Sequence, residues 1–309
     1  PKALADLKAE KVKLAGEMDA ISKNTAITFI MADLPKARQS YVMIRGQYNQ
    51  RGEKVSRNVP AFLPPLPAKP KDRDYNRLDF ANWLVNGKHP LTARVAVNRM
   101  WQQFFGTGLV KTAEDFGVQG EKPSHPQLLD WLSLQFIDSK WNLKAMHRRI
   151  VLSATYRQAS RVTPALRERD PGNRLLARMT RQRLPSWMIR DQALFISGLL
   201  VEKRGGPAVR AYEPAGIWAE ATFVKKRYTQ GKGEDLYRRS LYTFWRRIIG
   251  PTMVFDESKR QTCQIRPSRT NTPLHALITL NDITYIESAR AMAQRVFCLL
   301  YTSPSPRDS

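Results

Sequence analysis

Residues 77–160 read RLDFANWLVNGKHPLTARVAVNRMWQQFFGTGLVKTAEDFGVQGEKPSHPQLLDWLSLQFIDSKWNLKAMHRRIVLSATYRQAS, and this stretch decides the fold. Its apolar residues recur at intervals of three and four, the spacing of helices that bury one face. The pattern predicts four amphipathic helices with one long loop between the second and the third. We therefore expect a mainly α protein, a multi-helix globular domain with a few short β-strands or one small hairpin.

Capping residues mark the limits of three of these helices. Gly106 follows the apolar stripe of the second helix, where a residue that adopts positive φ ends a helix. Ser124 is a good N-cap for the third helix, with Pro126 in its first turn, and Asn142 can cap the fourth. The faces expected to be buried are Val97, Trp101, Phe104 and Phe105; Leu128, Leu129, Leu132 and Phe136; and Leu143, Met146, Ile150 and Ala154. His147 falls on the last of these faces, so we expect it to pack in the core or between helices, and the alternative is that it is a ligand.

Two further helix starts lie near the end of the chain. Thr272 followed by Pro273 begins one helix, and Asp282 caps the last one. The face of the last helix expected to be buried consists of Ile286, Ala289, Ala293 and Val296.

The loop of residues 106–121 is the first candidate site. A loop of this length in a compact domain is usually functional or disordered, and its aromatic and apolar residues argue against disorder. If the loop folds back, Asp115, His125 and Asp130 converge as an acid/base group or a metal site. The alternative is that Asp115 caps a turn and His125 packs beneath it. No two histidines have the spacing of a helical metal site, so we expect no metal.

The composition is unusual only in its charge. The 309 residues include 51 Lys and Arg against 27 Asp and Glu, a formal net charge of +24. Such an excess indicates an anionic partner, whether nucleic acid, anionic glycan, a membrane surface or an acidic domain of the same protein. The alternative is a solvated surface that is merely rich in lysine and arginine. No window approaches the ~20 apolar residues of a membrane span.

The cysteines carry little information. Only Cys263 and Cys298 are present, which excludes a disulfide framework, a C-x-x-C metal site and a haem-attachment motif within this stretch. No histidine lies near Cys263 in the sequence, so we expect a buried structural thiol there.

The chain divides into four segments. Residues 1–62 contain a Lys- and Glu-rich amphipathic helix of about three heptads, interrupted by Lys11, and two short strands joined by a turn. We expect them to be the end of a preceding domain, with the helix forming half of a helical hairpin. Residues 63–73 are a Pro-rich linker, and residues 74–297 form the main helical domain. Residues 298–309 match the translation of a sequencing-library adapter, and we expect them not to be native.

Residues 236–245 read LYRRSLYTFW, and their alternation predicts a β-strand. Arginines are interleaved with aromatic residues here and further along the chain. Arginine binds sulfate, phosphate or carboxylate through paired hydrogen bonds, and aromatic rings stack on sugars or bases. The predicted anion- or glycan-binding residues are Arg238, Arg239, Trp245, Arg247, Arg266 and Arg269. The alternative is that these arginines pair with Asp235, Asp256 and Glu257 of the same chain.

Several ordered blocks resemble a known family. The runs RLDFANWL, HPLTARVAVNRMWQQFFGTGLVKTAEDFGVQGEKPSHPQLLDWL, DPGNRLLAR, YRRSLYTFWRR and RPSRTNTPLHALITLND resemble the planctomycete-specific domain of unknown function numbered fifteen fifty-three. The run IRGQYNQRGEKVSRNVPAFLPPLP resembles the connection to a companion domain, number fifteen forty-nine. The chain departs from the family at residues 184–188, LPSWM, where the family more often has an Ala-Glu pair.

The resemblance implies an exported, multi-domain protein of the cell envelope. It implies no cofactor in this segment, with haem c in a cytochrome-like domain upstream, and it carries over no catalytic residues. We expect a module that binds an anionic polysaccharide or partner domains. The second hypothesis is a glycan-processing enzyme that uses Asp115, His125 and Asp130. The third is a nucleic-acid binder, which is less favoured because no helix-turn-helix, zinc-finger or RNA-binding signature is present.

Overall fold

The computed structural model of the chain describes residues 2–25, 28–32, 34, 38–220, 227–246, 249–251, 254–257, 263–265 and 269–302. These residues form ten α-helices and one two-stranded antiparallel hairpin, which confirms the mainly α fold. The chain divides into two compact units, Pro1–His89 and Pro90–Ser309.

The first unit contains helix α1 (Lys2–Asn24), strands β1 (Ser40–Met43) and β2 (Arg51–Val55), and helix α2 (Arg77–Val85). The second unit contains α3 (Thr92–Phe105), α4 (Pro126–Asp138), α5 (Leu143–Leu152), α6 (Pro164–Arg169), α7 (Ser186–Ser197), α8 (Ile217–Glu220), α9 (Pro273–Asn281) and α10 (Ile283–Thr302).

In the first unit, β1 and β2 pair with Ser40 opposite Val55 and Met43 opposite Arg51, so the predicted hairpin is confirmed. The Pro-rich segment of residues 63–73 lies within this unit. Its carbonyls accept hydrogen bonds from the Trp83 indole, which reaches Pro64 at 2.7 Å, and from Tyr75.

Helix α2 begins with a reciprocal capping box. The Asn76 side chain accepts from the backbone N–H groups of Leu78 and Asp79, and the Asp79 carboxylate accepts from the Asn76 N–H at 2.8 Å. The Arg73 guanidinium donates two hydrogen bonds to the same carboxylate, at 2.6 and 3.0 Å. These contacts stabilise the ionised form, and Arg73 is the main cause that lowers the pKa of Asp79 to about 2.

This pairing should make the start of α2 sensitive to acid. The pKa of Asp79 is lower in the folded chain than its ordinary value of 3.8. The stability it contributes is therefore fully present above about pH 4 and is lost as pH falls towards 2. An NMR titration of the Asp79 carboxyl should give a midpoint near pH 2, and the Arg73→Ala variant should move it back towards 3.8. A midpoint at the ordinary value in the unmodified chain would contradict this reading.

The core of the second unit is built by α3, α4 and α5. Most of the residues predicted to be buried in these helices are buried, and the fully covered ones include Val97, Leu129, Met146 and Ile150. Phe104 and Leu128 are partly buried and pack against this core, and the exposed exceptions lie at the two ends of the α5 stripe.

Leu143, in the first turn of α5, is more than half exposed, and Ala154 lies beyond the last turn and is exposed as well. His147 is also exposed, so a position in the core is wrong, but its ring packs edge-on against Phe104 of α3, as expected for a helix-packing histidine.

The predicted helix limits hold at two of three places. Gly106 ends α3 with φ +77°, and the Asn142 side chain caps α5 by accepting from the Ala145 N–H at 3.0 Å. Ser124 is not the N-cap of α4, because His125 occupies that position. The Ser124 hydroxyl and N–H both donate to the Leu109 carbonyl instead, which ties the end of the loop to its beginning.

The strand predicted at residues 236–245 is wrong. This segment lies in and between two short 3₁₀ turns, Gly233–Tyr237 and Ser240–Tyr242, and its β-type pairing with other described residues is limited to single bridges at Arg238 and Thr243. The residues that alternate in the sequence alternate between buried and exposed positions around these turns, as Arg238 and Arg239 do.

Helix α10 is rotated relative to the prediction. Its buried residues are Thr284, Tyr285 and Ser288, whereas Ile286 and Val296 are about half exposed. The helix packs on α7 and α9 through small and hydroxyl-bearing residues, which leaves its apolar face in solvent.

Candidate anion-binding surface

Asp115 lies in a tight turn of the loop that follows α3. Its carboxylate accepts from the Gly117 N–H at 2.7 Å, and its carbonyl accepts from the Thr112 hydroxyl at 2.8 Å. The loop closes tightly here, because a Cβ on Gly120 would lie 2.2 Å from the Asp115 carbonyl oxygen. The contacts of Asp115 are those of a turn-capping residue.

His125 and Asp130 have partners of their own. The Nδ1 atom of His125 is 3.1 Å from the Ser124 hydroxyl. The Asp130 carboxylate is exposed and accepts from the Arg94 Nε at 2.7 Å. The side chains of Asp115, His125 and Asp130 therefore contact other residues, and an acid/base group made of the three stays a prediction.

Arg238 is a buried residue, only 2 % exposed. Its guanidinium donates to three backbone carbonyls, at Pro207, Lys203 and Gly205, and lies 4.0 Å from the ring centre of Tyr242. The Arg238 guanidinium therefore holds residues 203–207 in place, and it is not accessible to a ligand from solvent.

The other predicted anion ligands differ in position. Arg239 is half-exposed, with its Nε 3.6 Å from the Asp191 carboxylate, and Trp245 is half-buried beside Gly250. Arg269 donates to the Gln182 side chain at 2.6 Å, and burial together with the nearby charge of Arg183 lowers its pKa. Arg247 and Arg266 lie outside the described residues. Binding of an anion by these residues remains a prediction.

Arginine–aromatic contacts near the predicted anion ligands join residues of the chain to each other. Arg246 lies over the ring of Trp218 and Arg210 over the ring of Phe244, and the two rings stack with centres 6.0 Å apart. The Trp218 indole also donates to Glu213, whose pKa burial raises. Both Arg210 and Trp218 were missed from the sequence because they precede the arginine-rich run.

Asp256 organises a second polar cluster. Its carboxylate accepts from the N–H and the hydroxyl of Thr270, both at 2.7 Å, and pairs with Arg183. Burial opposes its ionisation, but Thr270 and the Arg183 charge outweigh burial and lower its pKa. The ring of His275 stacks on Phe255 with centres 4.3 Å apart. Asp256 thus forms an ion pair within the chain, as the alternative to ligand binding expects. Its arginine partner is Arg183, which is not one of the predicted anion-binding arginines.

A basic stretch that was not predicted from the sequence lies on and after α5. Residues 139–167 contain no Asp or Glu. Its seven lysines and arginines are all exposed, and none forms an ion pair with another residue that the structure describes. They are Lys140, Lys144, Arg148, Arg149, Arg157, Arg161 and Arg167. The signal that could have revealed them is the absence of carboxylates over 29 consecutive residues, not a local motif.

The part of this stretch on α5 forms a defined surface. Lys144 and Arg148 are four residues apart, so they share the helix face opposite the buried Met146 and Ile150. Arg149 lies over the ring of Trp131 on α4, with 5.3 Å between the guanidinium carbon and the ring centre, and Trp131 is 50 % exposed. We call Lys144, Arg148, Arg149 and Trp131 the α5 basic surface.

The α5 basic surface suits an anionic ligand. Like charges one turn apart destabilise a helix by about 0.2–0.5 kcal/mol, and an anion that bridges them removes that repulsion. An exposed indole beside a guanidinium adds a flat apolar face next to paired donors. Among the described residues, no three His, Cys, Asp or Glu side chains come together as metal ligands would. None of the described helices combines the length and apolar content needed to cross a membrane.

Comparison with protein-family models shows the family of most of the chain. Residues 76–304 match the family PSD1, described as "Protein of unknown function (DUF1553)". The match ends inside residues 298–309, so the adapter origin of that segment stays a prediction. No curated protein and no solved structure matches the chain.

Proposed function

The chain belongs to the PSD1 family, whose function is unknown, and we propose that its second unit binds an anionic polymer through the α5 basic surface. The observation that carries the proposal is the set of seven exposed lysines and arginines, none in an ion pair with a described residue, in a stretch without any carboxylate. Other arginines of the second unit are used differently, since the buried Arg190 and Arg238 are bonded to backbone carbonyls of the chain itself.

An anionic polysaccharide fits this surface better than a nucleic acid. Sulfate and carboxylate groups repeat along such a polymer as phosphates do along a nucleic acid, so the aromatic content of the surface decides between them. Trp131 offers one ring at the edge of the surface, whereas single-stranded nucleic acid is usually held by several rings on which successive bases stack. The exported, envelope-associated setting implied by the resemblance is part of this proposal.

A triple variant, Lys144→Ala with Arg148→Ala and Arg149→Ala, should weaken binding to heparin about tenfold at low salt, because each exposed ion pair contributes about 0.2–1 kcal/mol. The measurement is isothermal titration calorimetry at two salt concentrations, and the dependence on salt should be shallower in the variant.

The matched control removes three other exposed cations of the same unit, Arg99, Lys122 and Arg204. This control should change the affinity by less than about twofold. Equal losses in both variants would show that only net charge matters and would overturn the assignment of the surface. An absence of heparin binding, or tighter binding to single-stranded DNA than to heparin, would overturn the proposed function.

A further inference from the structure

His147 lies at one edge of the α5 basic surface. Around the axis of α5 it lies about 60° from Lys144, whereas Arg149 lies about 140° from Lys144 in the other direction. The exposed face formed by Lys144 and Arg148 is therefore flanked by His147 on one side and by Arg149 on the other.

Each flank contacts a different neighbouring helix. Arg149 lies over the ring of Trp131 on α4, and the His147 ring packs against Phe104 of α3 with ring centres 5.4 Å apart. His147 is nonetheless exposed to solvent. An anionic polymer that lies across α5 therefore meets Arg149 on the side of α4 and His147 on the side of α3.

The charged groups around His147 are mostly basic. Helix α3 and residues 139–167 contain no Asp or Glu. The carboxylates of α4 are Asp130, which pairs with Arg94, and Asp138 at the end of the helix. The other titratable groups on α3, α5 and the segment that contacts Phe104 are Lys144, Arg148, Arg149, Arg99 and Tyr156. Within the described residues no carboxylate forms an ion pair with His147, so an anion bound at this face supplies its counter-charge.

Histidine is the side chain whose charge ordinarily changes between pH 5 and 8. A neutral imidazole ring has one N–H donor, whereas the protonated ring has two donors and a positive charge. We propose that His147 is a pH-dependent ligand of the anionic polymer. It takes up a proton from solvent as the polymer binds and donates a hydrogen bond to a sulfate or carboxylate oxygen. This role rests on the binding function proposed for the α5 basic surface, and it makes that function sensitive to pH.

The direction of the pH effect follows from which state holds the proton. The bound polymer stabilises the imidazolium, so binding takes up protons and the affinity rises as pH falls from 8 to 5. Lysine and arginine side chains ordinarily stay charged over this range, so the other cations of the surface supply the part of the affinity that does not depend on pH.

Isothermal titration calorimetry of the full chain with heparin, at one low salt concentration, tests the proposal. Heparin should bind about fivefold more tightly at pH 5.5 than at pH 8, the upper end of what one exposed ion pair contributes. His147→Gln keeps a polar side chain that does not titrate, and its affinities at the two pH values should agree within about twofold. The control His125→Gln removes a histidine at the start of α4 instead of on α5, and it should keep the pH dependence of the unmodified chain.

Proton uptake provides a second readout. At pH 6.5, titrations in two buffers with different ionisation enthalpies should show that a fraction of a proton is taken up per bound chain, and His147→Gln should abolish this uptake. His147→Lys carries a permanent charge, so at pH 8 it should bind heparin about as tightly as the unmodified chain does at pH 5.5.

Two results would overturn the role of His147 and leave the proposed function standing. One is heparin binding that is lost in the triple variant of α5 but does not depend on pH in the unmodified chain. The other is a pH dependence that His147→Gln leaves unchanged. The absence of heparin binding at both pH values would overturn the proposed function and the role of His147 together.

Discussion

Replacing Arg190 by alanine should lower the free energy of unfolding of the second unit by about 3–5 kcal/mol. Arg190 is fully buried on α7. Its Nη1 donates to the Arg238 carbonyl at 2.9 Å and to the Ser240 hydroxyl at 3.2 Å, and its Nη2 donates to the Leu236 carbonyl at 2.9 Å. Without the guanidinium, two buried carbonyls lose their donors and a cavity opens beneath the 3₁₀ turns.

Urea denaturation followed by far-ultraviolet circular dichroism measures this loss. Arg239→Ala is the matched control, since Arg239 is half-exposed and its Nε lies 3.6 Å from the Asp191 carboxylate, too far for a strong hydrogen bond. It should cost no more than about 1 kcal/mol. Arg190→Lys should not restore stability, because one ammonium group cannot reach the acceptors that the planar guanidinium spans. Similar losses for Arg190→Ala and Arg239→Ala would refute the structural role of Arg190.

Replacing Asn98 by alanine should cost about 2–4 kcal/mol and release the loop that follows α3. Asn98 is completely buried in α3. Its Oδ1 accepts from the Val110 N–H at 2.8 Å, and its Nδ2 donates to the Val110 carbonyl at 3.0 Å. The side-chain amide thus satisfies both backbone groups of Val110, as a neighbouring β-strand would. Gly108 is required beside it, because a Cβ there would lie 2.5 Å from the Asn98 amide.

Hydrogen exchange distinguishes the local release of the loop from the overall loss of stability. The Val110 amide should exchange much faster in Asn98→Ala, while amides in the middle of α4 follow the smaller global loss. Asn281→Ala is the control, because Asn281 is exposed on α9 and its side chain donates to the Leu277 carbonyl of its own helix. That change should stay within about 0.5 kcal/mol. Unchanged protection at Val110 would show that Asn98 does not hold the loop.

The helices α3, α4 and α5 could be predicted closely because their information is local. Each carries a complete apolar stripe, and Gly106 and Asn142 supply limits that depend only on neighbouring backbone groups. The hairpin of β1 and β2 follows from the turn between them for the same reason.

Prediction failed where the deciding contacts come from distant residues. The pattern of residues 236–245 suits a strand, but no described strand pairs along the segment, and Arg190 binds two of its carbonyls from 46 and 48 residues away. The sequence of α10 also shows a clear apolar face, which was predicted to be buried. Periodicity identifies that face but does not determine which face packs on α7, and in the structure the buried residues are Thr284, Tyr285 and Ser288. Cys263 was expected to be buried and is exposed.

The candidate site shows the same division. Arginine content and net charge are properties of the sequence alone, and the prediction of an anionic partner rests on them. Which arginines remain available is decided by tertiary structure, because each guanidinium either finds buried carbonyls and carboxylates or is left in solvent. Arg238 finds three carbonyls inside the fold, whereas Arg148 and Arg149 on α5 pair with no carboxylate of the described residues. The sequence by itself therefore determined the helical character and the basic charge of this protein, and only the packing of distant segments decided where that charge is exposed.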